Sequence, residues 1–173
     1  ALAAIAAARH VGVRPEDAIQ SLSEFQGVLR RMDLIAEIGR VAIYDDFAHH
    51  PTAIRQTLQG LRHKVGNEEI IAVIEPRTHT MSLGTLRSEL TNCCAPADAV
   101  YWYRGENILW DLSEVVQSCV IPARQFDDLD RLIESLARLP EKQRHIVIMS
   151  NGSFGGIYEK LPARLGQSVK PAS

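Results

Sequence analysis

The stretch RVAIYDDFAHHP, Arg40–Pro51, decides the fold because an apolar strand in it runs directly into a polar turn. The strand is predicted over Arg40–Tyr44 and the turn over Asp45–His50. Pro51 then opens a helix that we expect to extend to about His63, since proline is favoured in the first helical turn. The apolar residues of this helix recur at helical spacing: Ile54, Leu58 and Leu61. Turns of this kind bind ligands in open α/β sheets.

The alternation of strands and helices continues along the rest of the chain. Further buried strands are predicted over 69–74, 99–103 and 145–149, and further helices over about 84–92, 112–117, 129–139 and 157–165. Upstream, Met32–Ile38 is expected to form a hairpin with Arg40–Tyr44 around Gly39. Two short helices, 1–10 and 16–24, come first. This order predicts an α/β fold: a Rossmann-like, mostly parallel sheet with helices on both faces and one antiparallel hairpin strand, preceded by a short helical hairpin.

The 173 residues suffice for one α/β domain with a core and a small appendage. The chain opens without a methionine, already inside an alanine-rich helix, which indicates a fragment cut from a longer protein. We therefore divide it into a helical segment 1–24 that resembles the edge of a missing neighbour, an α/β domain 25–166, and a frayed tail 167–173.

Composition and charge exclude several classes of partner. The net charge of −2 and the pI of about 6.3 give no basic surface for nucleic acid and no polybasic run for a membrane surface. The apolar opening, Ala1–Ala8, is too short to cross a bilayer. The three cysteines, two of them adjacent, suit neither a disulfide framework nor a zinc site. We expect a reducing, cytoplasmic location.

The first polar loop, which follows the strand at 40–44, carries Asp45, Asp46, His49 and His50. Adjacent carboxylates can bind ribose hydroxyls or hold Mg²⁺ through water, and the histidines can contact a phosphate or a carboxylate. In a purely structural interpretation, one aspartate caps the following helix and His49 bonds a backbone carbonyl. The side chains of adjacent histidines diverge, so no metal site is predicted on this pair.

Two further polar loops follow strands and are expected at the same carboxyl edge of the sheet. The loop EPRTHTMS offers the guanidinium of Arg77 to a carboxylate or phosphate, or to Glu75 as a structural ion pair. The loop SNGSFGG, Ser150–Gly156, lets the backbone approach a ligand, or forms a tight turn with a helix cap. It is neither a GxGxxG nor a GxxxxGK[ST] loop, so alone it does not indicate a nucleotide. Arg30 and Arg31 either neutralise a phosphate or form a solvated basic pair.

Four stretches of the sequence resemble the Mur ligase family. Asp45–Ile54, DDFAHHPTAI, resembles the DDYAHHPTE-type signature that opens the C-terminal domain of these enzymes, and Phe25–Arg31, FQGVLRR, resembles the segment that enters it. Glu75–Met81 and Met149–Ile157, EPRTHTM and MSNGSFGGI, are most similar to one branch. That branch joins L-Ala-γ-D-Glu-meso-diaminopimelate to UDP-N-acetylmuramate in peptidoglycan recycling. On this resemblance, 1–24 is a remnant of the central ATPase domain, and the α/β domain is the C-terminal, peptide-binding domain.

The resemblance implies a three-domain, ATP-dependent amide ligase. Its N-terminal domain binds UDP-N-acetylmuramate, its central domain binds ATP and Mg²⁺, and its C-terminal domain delivers the tripeptide, whose amine attacks an acyl phosphate on the muramyl carboxylate. This chain has no GT[NH]GKT phosphate loop, so the fragment alone is predicted to be inactive. The alternatives are the C-terminal domain of a UDP-N-acetylmuramate–L-alanine ligase and a non-enzymatic α/β binding module.

Carried over to this sequence, the resemblance assigns roles to residues of the three loops and of the basic pair. The predicted catalytic residues are Arg31, Asp46, His49 and His50. The predicted nucleotide-binding residues are Arg30, Arg31, Asp45 and Asp46. The predicted peptide-binding residues are Arg77, Thr78, His79, Ser150, Asn151, Gly152, Phe154 and Gly155. No metal ligand, nucleic-acid contact or membrane contact is predicted in this chain.

Overall fold

The computed structural model describes residues 1–25, 27–77, 87–106, 108 and 110–168, without the side chains of 87, 88 and 168. Its strands are, in chain order, β1 Asp33–Ile38, β2 Val41–Asp46, β3 Glu69–Ile74, β4 Ala99–Tyr103, β5 Ala123–Phe126 and β6 Arg144–Met149. Its α-helices are α1 Leu2–His10, α2 Pro15–Ser23, α3 Pro51–Val65, α4 Arg87–Cys93, α5 Ser113–Ser118, α6 Leu129–Ala137 and α7 Ile157–Ser168. A 3₁₀ turn, Phe154–Gly156, precedes α7.

The six strands form one sheet in the order β1-β2-β6-β3-β4-β5. Strand β1 pairs with β2 antiparallel, and every other neighbouring pair is parallel. Connections between parallel strands must cross over a face of the sheet, which is why helices separate the strands along the chain. The predicted α/β fold with one antiparallel hairpin strand is confirmed.

The hydrophobic core is divided by the sheet into two layers. Alternate side chains of β3 point to opposite faces, so Ile70 belongs to one layer and Ile71 to the other. One layer is completed by apolar residues of α3, α4 and α5, and the other by those of α6 and α7. Helices on both faces bury the central strands β2, β3, β4 and β6, whereas the edge strands β1 and β5 stay partly exposed.

The structure differs from the sequence predictions in two strands. Strand β5 was not predicted, because Arg124 and Gln125 interrupt its apolar pattern. Strand β2 extends to Asp46, so Asp45 and Asp46 belong to the strand and not to the turn. His145, at the start of β6, is buried at 6% exposure. Its Nε2 lies 2.6 Å from Oε2 of Glu68, a carboxylate that makes the burial of a polar ring possible. The predicted start of a helix at 84 lies outside the described residues.

The two N-terminal helices differ from the rest of the chain in their packing. Neither α1 nor α2 contains a buried residue. Helix α7 continues to Ser168, two residues past the predicted end of the α/β domain at 166, and residues 169–173 lie outside the described part. Within the described residues, no helix combines the length and the apolar character that a membrane crossing requires.

Candidate functional site

Three loops meet at the carboxyl edge of the sheet because their strands are neighbours. Strand β6 lies between β2 and β3 and runs parallel to both. The backbone continues these ladders beyond the strands: Ser150 N donates to Asp46 O at 3.2 Å, and Glu75 N donates to Met149 O at 3.1 Å. The predicted co-location of the loops after β2, β3 and β6 is therefore confirmed.

Ser150 ties these loops together. Its Oγ donates to Oε2 of Glu75 at 2.6 Å and accepts from Gly152 N at 3.0 Å. Its carbonyl oxygen accepts from the guanidinium of Arg30 at 2.7 Å. The residue is 0% exposed, so the structure places it as a support of the site rather than on its surface. Direct contact of the Ser150 side chain with a peptide would require this network to open.

Glu75 and Arg77 end β3 with a buried acid beside a partly exposed base. Burial raises the pKa of the Glu75 carboxyl above its usual range, although the hydrogen bond from Ser150 and the charge of Arg77 oppose the change. Nε of Arg77 lies 4.0 Å from Oε1 of Glu75, beyond hydrogen-bond length. The guanidinium lies against Gly152, where an added Cβ would stand 2.2 Å from Nη1. Glycine at 152 thus makes room for Arg77.

Arg30 and Asp45 form an ion pair inside the site. Nε of Arg30 lies 2.9 Å from Oδ2 of Asp45, and the guanidinium lies between the rings of Phe47 and Tyr158, at 5.4 and 5.3 Å from their centroids. Nη2 of Arg30 also donates to the hydroxyl of Tyr158 at 2.7 Å. Burial, with the Asp45 carboxylate, raises the pKa of Tyr158. Arg30 and Asp45, two of the four residues predicted to bind the nucleotide, therefore neutralise each other.

Asp46 is turned into the protein. It is 2% exposed, and its carboxylate accepts from Met32 N at 3.0 Å, Ala48 N at 2.8 Å and Thr57 Oγ1 at 3.4 Å. Burial raises the pKa of Asp46, and the hydrogen bonds act against that change. Its visible role is to fix the turn between β2 and α3 and the chain before β1. A ligand contact by Asp46 stays a prediction.

Arg31 is the exposed member of the basic pair. Its guanidinium lies 5.7 Å from the centroid of the Phe47 ring. The residues on either side, Arg30 and Met32, have positive φ angles of 58° and 54°, a conformation that non-glycine residues rarely adopt. A hydrogen bond from Phe47 N to Arg30 O, at 2.8 Å, holds this conformation. The turn presents Arg31 at the edge as the base open to an anion.

The two histidines have different neighbours. Nδ1 of His49 lies 2.9 Å from Phe47 O, and because a carbonyl only accepts, this nitrogen carries the proton and Nε2 is left for another partner. Nδ1 of exposed His50 accepts from Thr52 N at 3.3 Å and caps α3. The structural interpretation of His49 is confirmed. The helix cap is His50 and not an aspartate, so that part of the interpretation is wrong.

The second half of the SNGSFGG loop supports the fold. Phe154, predicted to bind peptide, is 0% exposed and stacks on the ring of Tyr103 at 5.2 Å between centroids. Gly155 has a φ of 57°, and a Cβ there would stand 2.7 Å from Leu129 Cδ2. Asn151, Gly152 and Gly156 are partly exposed and Ser153 and Gly155 are exposed, so Ser150 and Phe154 are the buried members of this loop. The predicted residues Thr78 and His79 lie outside the described part of the chain.

Sequence reasoning missed Tyr158 and Gly105 in this region, and it favoured a core position for Tyr103 over stacking on a ligand. Tyr158 lies on a helix and reaches the site only through its contact with Arg30, so no loop motif marks it. Tyr103 and Gly105 follow β4, whose carboxyl end lies beside that of β3. This signal depends on the order of the strands in the sheet, which the sequence analysis did not predict. Across the described residues, no group of three or more histidine, cysteine or acidic side chains is placed to hold a metal ion.

The fold and the loops at its carboxyl edge define a class of protein. Residues 30–152 match the family described as "Mur ligase, glutamate ligase domain", and the chain belongs to this family. It is 45% identical over 99% of its length to the UDP-N-acetylmuramate–L-alanyl-γ-D-glutamyl-meso-2,6-diaminoheptandioate ligase of Escherichia coli K12, and 43% over 95% to that of Haemophilus influenzae. It spans 38% and 37% of those proteins.

Solved structures give the same grouping. The crystal structure of the murein peptide ligase Mpl from Psychrobacter arcticus superposes with a TM-score of 0.80 at 36% identity, over 96% of this chain and 36% of that one. The UDP-N-acetylmuramate–L-alanine ligase of Clavibacter michiganensis is 34% identical over 94% of this chain and 35% of its own length. Both kinds of ligase share this domain, with higher identity on the tripeptide-ligase side.

Proposed function

We propose that this chain is the C-terminal, acceptor-binding part of an ATP-dependent ligase of peptidoglycan recycling. The longer protein joins L-Ala-γ-D-Glu-meso-diaminopimelate to UDP-N-acetylmuramate. The observation that carries the proposal is the 45% identity over nearly the whole chain to a ligase named for that reaction, against 34% for one named for L-alanine. Because the chain spans 38% of that relative, the activity belongs to the longer protein and the isolated chain is inactive.

The acceptor peptide lies on the loops after β3 and β6. Arg77, whose side chain is 34% exposed, supplies a guanidinium that can pair with a peptide carboxylate. Asn151 and Gly152 offer an amide and a partly exposed backbone beside it. Thr78 and His79 follow Arg77 in the sequence and stay predicted peptide contacts. Three residues assigned to the peptide act indirectly, by holding these loops: Ser150, Phe154 and Gly155.

The nucleotide lies at the end of β2. Exposed Arg31 is the base that meets the phosphates, and both it and the ring of His49 contact the ring of Phe47. The exposed ring of His50 is the next polar group along the chain. ATP, when bound, supplies the phosphate that converts the muramyl carboxylate into an acyl phosphate. Arg30, Asp45 and Asp46 act behind this surface by fixing the turn that presents Arg31. Electrostatic positioning of this kind lowers the barrier without a covalent step on the protein.

Other parts of the longer protein complete the reaction. We assign most contacts to ATP and Mg²⁺ to a central domain, and the contact to UDP-N-acetylmuramate to an N-terminal domain. Closure of the domains brings Arg31 and the acceptor loops onto the acyl phosphate and excludes water. The reaction takes place in the cytoplasm, where its nucleotide substrates are found.

The test is an assay of the full-length ligase with ATP and UDP-N-acetylmuramate, supplied with either the tripeptide or L-alanine. We expect turnover with the tripeptide and little with L-alanine. Arg77→Ala should raise KM for the tripeptide about tenfold or more, because a charge-assisted hydrogen bond contributes about 1.5–3 kcal/mol. Arg40→Ala, an exposed arginine between β1 and β2 at the opposite edge of the sheet, is the matched control and should not change KM.

The second candidate is the C-terminal part of a UDP-N-acetylmuramate–L-alanine ligase, because this chain is 34% identical to such an enzyme. Turnover with L-alanine but not with the tripeptide would favour it over our proposal. A non-enzymatic binding module is a weaker candidate, because it leaves the match to the ligase family over 30–152 without a reason. Absence of turnover with both acceptors in the longer protein would support that module.

A further inference from the structure

Most polar side chains at the carboxyl edge are fully used by hydrogen bonds within the protein. Asp45, Asp46 and Ser150 each bond protein partners. The hydroxyl of Tyr103, in contrast, has no hydrogen-bond partner within the described ranges of the chain, and the residue is only half-buried. As far as the described residues show, this hydroxyl is therefore available to donate a hydrogen bond to a ligand.

Tyr103 lies next to the loops that we assign to the acceptor peptide. It is the last residue of β4, whose neighbour in the sheet is β3. Its ring stacks on Phe154 of the SNGSFGG loop. A Cβ added to Gly105 would stand 3.4 Å from Cε1 of Tyr103 and 3.2 Å from Oε1 of Glu75. The edge of the ring and the carboxylate therefore flank the same small space, which glycine leaves open.

The charges around the ring keep its hydroxyl protonated. Burial raises the pKa of Tyr103, and the carboxylates of Glu75, Asp128, Glu106 and Asp127 raise it further. A neutral phenol donates a hydrogen bond and offers its face as an apolar floor. The position thus suits an oxygen of a bound molecule, such as a carbonyl or carboxylate of a peptide.

We propose that Tyr103 is a further acceptor-binding residue, whose hydroxyl donates a hydrogen bond to an oxygen of the acceptor peptide. The acceptor then extends from the β6 loop across the end of β3 to the end of β4. A peptide can cover this distance, whereas a single amino acid covers only part of it, since neighbouring strands lie about 4.8 Å apart. This inference rests on the proposed function, because it takes the acceptor site at this edge as given.

The experiment compares Tyr103→Phe and Tyr101→Phe in the full-length ligase. Both changes remove only a hydroxyl, but Tyr101 lies two residues back on the same strand, is 4% exposed and packs on Phe126. We expect Tyr103→Phe to raise KM for the tripeptide about three- to tenfold, as the loss of one neutral hydrogen bond predicts. KM for ATP, KM for UDP-N-acetylmuramate and the melting temperature should stay unchanged, and Tyr101→Phe should match the wild type.

An unchanged KM for the tripeptide in Tyr103→Phe would overturn the inference, and so would an equal rise in KM for all three substrates, which indicates a structural effect. The proposed function fails in a different way, when the wild-type enzyme uses L-alanine in place of the tripeptide. In that case KM of Tyr103→Phe for L-alanine tests the inference. A rise in this KM alone would show that Tyr103 binds the acceptor, and an unchanged KM would show that it does not.

Discussion

Glu75 is a residue whose burial destabilises the fold. Its carboxyl is 6% exposed, and it receives a hydrogen bond from Ser150 but no hydrogen bond from Arg77. A charged carboxylate in this position loses hydration that the two neighbours only partly replace. Its presence at the end of β3 is therefore better explained by the site than by stability, since functional positions commonly oppose stability.

We predict that Glu75→Gln raises the free energy of unfolding at neutral pH. The pKa of Glu75 in the folded protein is above its ordinary value of 4.5, so the folded state binds the proton more tightly than the unfolded state. The stability that protonation provides is complete below pH 4.5 and is lost as pH rises through the folded pKa. Glutamine does not ionise, so the variant keeps this stability at every pH. Its free energy of unfolding should therefore exceed that of the wild type above pH 4.5, and the difference should vanish below it.

Chemical denaturation between pH 4 and pH 8 measures this difference, on the order of 1 kcal/mol per unit of pKa change. Exposed Glu141→Gln is the control and should follow the wild type at every pH. A variant of Glu75 that is less stable than the wild type at pH 7 would show that the charged carboxylate stabilises the fold, contrary to our interpretation.

Gly152 is a residue whose lack of a side chain serves Arg77. We predict that Gly152→Ala displaces the Arg77 guanidinium, because the new Cβ would stand 2.2 Å from Nη1. The end of a flexible side chain can move, so the free energy of unfolding should change by less than about 1 kcal/mol. KM of the full-length ligase for the acceptor should rise several-fold.

The matched control for this change is Gly60→Ala in helix α3, where an added Cβ meets nothing within 4 Å. Alanine should stabilise that helix by about 0.5–1 kcal/mol and leave KM unchanged. If Gly152→Ala retained the wild-type KM, the position of Arg77 against Gly152 would have no part in acceptor binding.

At the scale of elements, the regular strands and helices could be predicted because their apolar periodicity is strong. Strand β3 and strand β4 have the predicted bounds, 69–74 and 99–103. Strand β5 escaped prediction because Arg124 and Gln125 are exposed or half-exposed at the edge of the sheet, where burial imposes no apolar pattern. The position of an edge strand depends more on backbone hydrogen bonds to the neighbouring strand than on its own side chains.

The site was predictable in its location but not in its internal pairing. The sheet order brings the loops after β2, β3 and β6 together, and the sequence indicates this through strand-to-helix turns. The pairing of Arg30 with Asp45 and the burial of Ser150 depend on contacts between residues 15, 75 and 120 positions apart in the chain. Local patterns contain no such information. Phe154 was predicted to bind the peptide, and nothing in the local sequence indicated that its ring is buried.

Helix α6 provides a prediction at the same scale. Asp128 caps it by accepting a hydrogen bond from Arg131 N at 2.9 Å. Asp128→Ala should lower the free energy of unfolding by about 1 kcal/mol, since one donor of the first turn loses its partner. Asp127→Ala is the control: it removes an exposed ion pair with Arg104 and should cost less than about 0.5 kcal/mol. Equal losses in the two variants would contradict the assignment of the cap.

At the scale of the whole molecule, the N-terminal helices and the segment after them expose apolar side chains. Leu2, Val11, Ile19, Phe25 and Leu29 are between 57% and 86% exposed. Exposure of this extent is unusual for a packed domain and typical of surfaces covered by another part of a protein. It agrees with the proposal that 1–24 belongs with a central domain of the longer protein.

We predict that amides of α1 and α2 exchange with solvent faster than those of β2, β3 and β6 in this chain. The two helices bury no residue, so opening them exposes little apolar surface. In the longer protein the same amides should become protected. Hydrogen exchange followed by mass spectrometry measures both cases, and strong protection of 2–23 in the isolated chain would contradict this division of the molecule.

The place of β6 has a consequence for how the molecule assembles. Among the described strands β6 comes last in sequence, yet it lies between β2 and β3 and joins the β1–β2 hairpin to the strands β3, β4 and β5. During synthesis, the first five strands can therefore form two separate halves, but no continuous sheet. Residues 144–149 close it when they leave the ribosome, and Ser150 follows at once. The edge that carries the three polar loops is thus complete only after β6 has joined the strands that precede it.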